Sequence, residues 1–250
     1  MLTQADVHWI ELDSVDSTND FLTRAYQQGR VSGHVAVLAH SQTAGRGRAG
    51  RSWQAAAGSS LCLSIGLPIA GHSLPFLPLC VGVAVARHLE TLAVPVRLKW
   101  PNDFLIGSQK LGGVLCESFQ SEAGAVTIVG LGLNIHPLNV PQALSGHGSV
   151  SLAQHMPGIE PPTARNLAEK LVPAILASIQ AAQQDGISSI FNEFAQRDAW
   201  LGREVQIIEQ GLVVTHGTAM GIDEHGAYLV NTTCGLKAIN SGDLSLRAVA

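Results

Sequence analysis

The sequence predicts a protein of the α/β (α+β) class that ends in a small β-barrel. Two observations carry this. From Thr18 to Gln196 helical apolar spacing alternates with short apolar runs bounded by turn residues, and past Trp200 only short β-rich runs remain. The composition supplies the core: the 250 residues are 46% apolar and 14% charged, which excludes a disordered chain and suffices for one large domain plus an appendage.

In chain order, Asp16 and Ser17 can cap a helix from Thr18 to Gln28, with Phe21, Leu22, Ala25 and Tyr26 on one face and Gly29 as the stop. Val35 to Ala39 reads as a buried strand that delivers the chain to Ser41 and Gln42. Ser60 to Leu67 reads as a strand and Phe76 to Leu92 as a helix presenting Leu79, Cys80, Val83 and Leu89. Val96 to Lys99 returns as a strand, and Trp100-Pro101-Asn102-Asp103 forms a turn, because proline drives the residue before it out of the helical region. Phe104 to Ile106 and Lys110 to Glu117 flank Gly107-Ser108 as a hairpin, and a strand covers Ala125 to Ile135. Thr163 to Gln184 is helical, with Leu167, Leu171, Ile175 and Ile179 in register, although Pro173 should kink or divide it. Ile187 to Gln196 is a further helix. The β-rich runs are Glu204 to Ile208, Val213 to Met220, Ala227 to Asn231, Leu236 to Ile239 and Leu244 to Arg247, and they set a domain boundary at 199/200.

Several function classes are excluded. A net charge of -4 argues against bulk electrostatic coating of nucleic acid. The longest apolar run, Leu74 to Ala86, is interrupted by Pro75 and Pro78 and falls short of the roughly 20 residues a membrane helix needs. Met1 to Glu11 carries Asp6 and Glu11 and no basic start, so no signal peptide is expected. Cys62, Cys80, Cys116 and Cys234 lack zinc or redox spacing and read as reduced core residues of a cytoplasmic protein. Gly130 and Gly132 begin a dinucleotide fingerprint that Pro137 interrupts; the histidines are scattered and no Gly-x-Ser-x-Gly elbow occurs.

The chemistry concentrates elsewhere. Gly45-Arg46-Gly47-Arg48-Ala49-Gly50-Arg51 interleaves three arginines with three glycines, and no acid lies between Phe21 and Leu89. Glycine lets the main chain approach a ligand, and each guanidinium offers a flat fork of donors to phosphate or carboxylate. The segment is an anion-binding loop or a solvated surface loop. Lys99 to Asp103 places a cation and a carboxylate at the ends of a turn that follows a strand, where charged substrates are often handled. Lys110-Leu111-Gly112-Gly113 sets another lysine beside two glycines.

Taken in this order, Ser17-Thr18-Asn19, Gln42 with the loop Gly45 to Arg51, Lys99 to Asp103, Lys110 to Gly113 and Gly130 to Asn134 resemble the biotin protein ligases. Gly221-Ile222-Asp223 and Gly226 are similar to that family's small C-terminal domain. The resemblance implies a mixed central sheet flanked by helices, like the catalytic domain of class II aminoacyl-tRNA synthetases, over residues 1–199, and an SH3-like barrel over 200–250. It implies a two-step reaction in which biotin and MgATP give biotinyl-adenylate, followed by transfer to a lysine of a biotin carboxyl carrier protein domain. By the same resemblance Lys110, Arg48, Asp103 and Lys99 are catalytic. Ser17, Thr18, Asn19, Gln42, Arg46, Gly47, Arg48, Lys110, Gly112 and Gly113 surround biotin or its adenylate. Gly45, Gly50, Arg51, Trp53, Asn102 and Asn134 serve ATP and the loop. Magnesium arrives with ATP, near Asp103, without a dedicated protein site.

His136 and Asp243 depart from the asparagine and glutamate common in the family. Regulatory members carry an N-terminal DNA-binding domain, whereas only some sixteen residues precede Ser17, so ligation without DNA binding or repression is expected. The resemblance also admits a homodimer. Rival readings are a lipoate or octanoate ligase and, from another class, a nucleic-acid-binding module that sets the arginines on phosphates.

Overall fold

The computed structural model describes residues 7–55, 57–69, 76–137, 148–209, 212–240 and 244–248. Its centre is a seven-stranded sheet in the order β1-β2-β3-β7-β6-β5-β4. The strands are β1 (Val7–Leu12), β2 (His34–Ala39), β3 (Ser60–Leu67), β4 (Arg97–Lys99), β5 (Asp103–Ile106), β6 (Gln109–Ser121) and β7 (Gly124–Asn134). Only the edge pair β1/β2 is parallel and the other ladders are antiparallel, so the sheet is mixed, as expected.

Helices cover both faces. On one lies α1 (Thr18–Gln27), whose Leu22 and Tyr26 pack on Val35, Val37, Val126 and Ile128. The other carries α2 (Leu77–Thr91) and α3 (Ala164–Asp185), with α4 (Ser188–Arg197) against α2. All eight residues of β3 are buried, and the larger core is built where β3, β6 and β7 meet α2 and α3. This two-sided cover explains the continuous apolar runs of the sequence.

Two elements differ from expectation. Pro173 lies inside one continuous helix instead of dividing it: the buried row Leu167, Leu171, Ile175 and Ile179 spans the proline and holds both halves to the core. Strand β1 escaped the sequence reading. It is a six-residue edge strand with a single fully buried residue, Val7, and so has little periodicity to read.

The C-terminal part forms a second, five-stranded antiparallel sheet in the order β11-β10-β9-β8-β12. Its strands are β8 (Glu204–Glu209), β9 (Leu212–Ile222), β10 (Tyr228–Thr232), β11 (Gly235–Ile239) and β12 (Leu244–Ala248). It is tied to the first sheet by polar bonds. Tyr228 Oη donates to Asp198 Oδ2 at 2.7 Å, and Trp100 Nε1 donates to the Gly226 carbonyl at 3.2 Å. Cys234 lies exposed at the β10–β11 turn and is not a core cysteine, whereas Cys62 and Cys80 are buried. Among the described residues no helix is long and apolar enough to cross a membrane.

Candidate active site

The site grows from the N-terminus of α1. Ser17 caps the helix by accepting from Asp20 N, which turns Thr18 and Asn19 inward, where both are buried. Gln42, just past β2, accepts from Thr18 N at 2.8 Å and from Thr18 Oγ1 at 3.1 Å. Ser64 Oγ lies 2.7 Å from Thr18 Oγ1 and 2.6 Å from Asn19 Oδ1, and Asn19 Nδ2 donates to Glu117 Oε2 at 2.8 Å. Beneath this network the sheet is pared to glycine. A Cβ on Gly130 would stand 2.4 Å from Asn19 Oδ1, and one on Gly132 would stand 2.6 Å from the Trp53 ring. The glycines of β7 therefore make room for side chains standing on the sheet, which is why a strand here reads like a fragment of a nucleotide fingerprint.

The arginine loop has a neck and a tip. In the neck, Arg46 and Ser52 form a short antiparallel bridge, Trp53 N donates to the Gly45 carbonyl at 2.8 Å, and Gly47 N donates to the Arg51 carbonyl at 2.6 Å. A Cβ on Gly45 would lie 2.5 Å from the Trp53 carbonyl, so only glycine closes this neck. The tip is a single turn over Arg48–Gly50, with Ala49 at φ 53° and Gly50 at φ 70°.

The three arginines have different surroundings. Arg46 Nη2 donates to Asp20 Oδ1 at 2.6 Å and to Glu117 Oε2 at 2.8 Å. Burial alone would lower its pKa, but Glu117 and Asp20 outweigh that and raise it. Arg48 Nη1 donates to Asn102 Oδ1 at 3.1 Å. Burial pulls its pKa down, Asp103 opposes this, and Arg51 adds to the lowering; an arginine remains charged throughout. Arg51 is exposed, its Nε donating to the Arg48 carbonyl.

The Lys99–Asp103 turn, whose Trp100–Pro101 peptide is cis, faces the loop tip. Asn102 is locked to β6: its Nδ2 donates to the Val114 carbonyl at 2.8 Å, and its own carbonyl accepts from Val114 N at 2.9 Å. Asp103 Oδ1 accepts from Lys110 Nζ at 2.6 Å, with Lys99 Nζ 3.7 Å from Oδ2. Gly113 keeps this corner open, since a Cβ there would lie 3.1 Å from Asp103 Oδ1 and 3.4 Å from Lys110 Nζ. Gly112 has another reason to be glycine: its Cβ would meet the Gly132 carbonyl at 2.2 Å.

The fold thus brings Lys99, Arg48 and Lys110 together around Asn102 and Asp103, beside the polar network of Thr18, Asn19 and Gln42. Asn134 stands differently. Its Nδ2 donates to the carbonyls of Lys110 (3.4 Å) and Val150 (3.1 Å), so it supports the main chain behind Lys110. Its Oδ1 and Trp53 Nε1 are buried without a hydrogen-bond partner. His136 is exposed, and Asp243 lies outside the described residues. Sequence reasoning missed Glu117, Asp20 and Ser64. A signal existed for Glu117, the one acid in the thirteen residues of β6.

Among the described residues no three His, Cys, Asp or Glu side chains cluster as metal ligands, and Asp103 already faces two ammonium groups. These residues do not fit a dedicated magnesium site.

With this geometry in place, the kinship is informative. Residues 11–134 match the Biotin/lipoate A/B protein ligase family, and residues 200–247 match the Biotin protein ligase C terminal domain. The chain is 31% identical over 241 residues to the Bifunctional ligase/repressor BirA of Escherichia coli, covering 95% of this chain and 73% of that one. It is 30% identical over 247 residues to the Biotin--[acetyl-CoA-carboxylase] ligase of Mycobacterium tuberculosis, covering 94% and 89%. Among solved structures, the biotin protein ligase from Aquifex aeolicus in complex with biotin and ATP superposes with a TM-score of 0.83 at 30% identity, over 97% of this chain and 99% of that one. In sequence and in fold the likeness thus runs over nearly the whole length, and the chain belongs to the biotin protein ligase family.

Proposed function

We propose that the chain is a biotin–[acetyl-CoA-carboxylase] ligase. It activates biotin with ATP to biotinyl-5'-adenylate and pyrophosphate, then passes the biotinyl group to one lysine of a biotin carboxyl carrier protein domain. The observation that carries this is the convergence of Arg48, Lys99 and Lys110 on Asn102 and Asp103, next to a buried polar cluster over a glycine floor.

The first step joins two anions, since the biotin carboxylate attacks the α-phosphorus of ATP and pyrophosphate leaves. Such a step depends on donors already aimed at the developing charge. Lys110 and Arg48 take that role, Lys110 on the carboxyl and phosphate oxygens and Arg48 from the loop tip; Lys99 adds positive potential behind Asp103. Thr18, Asn19 and Gln42 present amide and hydroxyl groups suited to a neutral polar ring, with Ser17 capping the helix that carries them. Gly112 and Gly113 border this pocket; Arg46 and Gly47 border it from the loop neck. Magnesium, held by the triphosphate oxygens, would supply further charge neutralisation. The tip Arg48 to Arg51, with Gly45 and Gly50 permitting its turn, folds over the mixed anhydride and limits its hydrolysis. Trp53 and Asn102 lie on the nucleotide side, and Asn134 holds the main chain of Lys110 in place. In the second step the carrier amine attacks the acyl carbon and AMP leaves. Residues 1–199 form the catalytic unit and 200–250 a small SH3-like domain.

The experiment supplies the protein with MgATP, a biotin carboxyl carrier domain and either biotin or lipoate, and weighs the carrier by mass spectrometry. Biotinylation is expected. Lipoylation alone, or no modification, overturns the reading.

A further inference from the structure

The loop arginines are chemically alike in the sequence, yet one is already engaged. Arg46 Nη2 sits between the carboxylates of Asp20, in the first turn of α1, and Glu117, on β6, at 2.6 and 2.8 Å. Both contacts are charge-assisted, and each ties the neck to a different rigid element. The carboxylates are themselves held. Glu117 Oε2 also accepts from Asn19 Nδ2, and Asn19 in turn reaches Ser64, Thr18 and Gln42. Asp20 N is held by the Ser17 cap. The neck hydrogen bonds of Gly45, Gly47, Arg51 and Trp53 then carry that placement one turn outward, to the tip that bears Arg48.

From this we infer that Asp20 and Glu117 are positioning residues: they clamp Arg46 and so register the loop neck, which sets where Arg48 lands against Asn102. The arginines divide their work. Arg46 spends its charge on two partly exposed carboxylates of the protein itself, and Arg48 spends its charge on the acyl-phosphate. Without the clamp the tip still reaches the site, but samples it loosely, so the intermediate is lost faster than it is made more slowly. Two carboxylates facing one cation also repel one another, so removing Arg46 alone should be worse than removing all three charges.

The inference rests on the adenylate-forming reading, and its test has one arm independent of that reading. The variants are Glu117→Gln, Arg46→Met, and Arg46→Met combined with Asp20→Asn and Glu117→Gln. Glutamine at position 117 keeps an acceptor for Asn19 while cancelling the charge. The independent arm is limited trypsin cleavage of the ligand-free protein after Arg48 and Arg51. For Glu117→Gln, cleavage is expected to rise about tenfold, the size set by loss of a charge-assisted contact. The dependent arm follows escape of biotinyl-adenylate from purified protein against its rate of formation from biotin and MgATP. Escape should rise about tenfold for Glu117→Gln, with formation changed less than threefold, and the triple variant should escape more slowly than Arg46→Met alone.

Parental cleavage and escape in Glu117→Gln overturn the clamp, as does a triple variant worse than Arg46→Met or a fall in formation matching the rise in escape. Absence of adenylate from the parent protein overturns the proposed function, and the cleavage arm then still decides the clamp.

Discussion

Arg48 and Lys110 occupy the same corner but should fail in different ways when removed. Arg48 reaches Asn102 from the loop tip, so under the proposed function its charge acts with the tip folded over the site. Arg48→Ala is expected to release biotinyl-adenylate at least about tenfold faster, the weight of one charge-assisted contact. Adenylate co-eluting with the protein on gel filtration measures it, and parental retention would refute the assignment. Lys110 extends from β6 and is oriented by Asp103 at 2.6 Å, so it is in place before substrate arrives. Lys110→Ala should slow pyrophosphate release by roughly 10²- to 10³-fold, as loss of a preorganised donor does. At this scale the sequence identified the residue types. It could not rank them, because Arg46, Arg48 and Arg51 differ only in partners that lie far along the chain.

Strands β6 and β7 show how glycines one register position apart on paired strands can have unrelated purposes. Gly112 faces backbone: its Cβ would lie 2.2 Å from the Gly132 carbonyl, and neither strand can yield without breaking the ladder. Gly112→Ala is therefore expected to cost about 1–3 kcal/mol of stability, read from urea denaturation. Gly132 faces the Trp53 indole, a side chain and not the backbone of a paired strand. Gly132→Ala should leave the urea midpoint nearly unchanged and raise KM for ATP. Equal destabilisation by both would show that Trp53 is core and not part of the loop's working surface. The β5–β6 hairpin that leads into these strands was legible from Gly107-Ser108. The purposes of their glycines were not, since they depend on what the neighbouring strand and the loop bring above them.

Across the whole molecule, the two sheets meet at a buried polar joint beside the Lys99–Asp103 turn. Asp198 accepts from Trp200 N at 2.9 Å and from Tyr228 Oη at 2.7 Å, while Trp100 packs on Tyr228 and donates to Gly226. Tyr228→Phe removes a donor from a buried carboxylate and is expected to destabilise by about 1–3 kcal/mol. The joint also gives stability a pH dependence. Burial is the largest influence on Asp198 and raises its pKa above the ordinary 3.8, against the lowering bonds from Trp200 and Tyr228. The folded state thus holds this proton to higher pH than the unfolded chain. Its contribution is greatest below 3.8 and declines as pH rises through the folded value. Asp198→Asn should remove that decline from a plot of unfolding free energy against pH. An unchanged slope would place the titration elsewhere.

The sequence by itself determined the class of fold, the succession of nearly all the elements, and the motifs that mark the family. Each of those is written locally, in apolar period, in caps such as Ser17, in turn residues such as Pro101 and Gly107, and in a run of arginines and glycines. The tertiary structure alone decided which charges meet. Glu117 lies 71 positions from Arg46, and Asp20 lies 26 from it, beyond the reach of any periodicity. The stretch from Phe21 to Leu89 holds no acid, yet its first loop arginine is the one most fully neutralised. Strand β1 and the unbroken course of α3 through Pro173 were likewise settled by packing, because an edge pairing and a buried helix face outweigh the weak signals that six residues or one proline can carry.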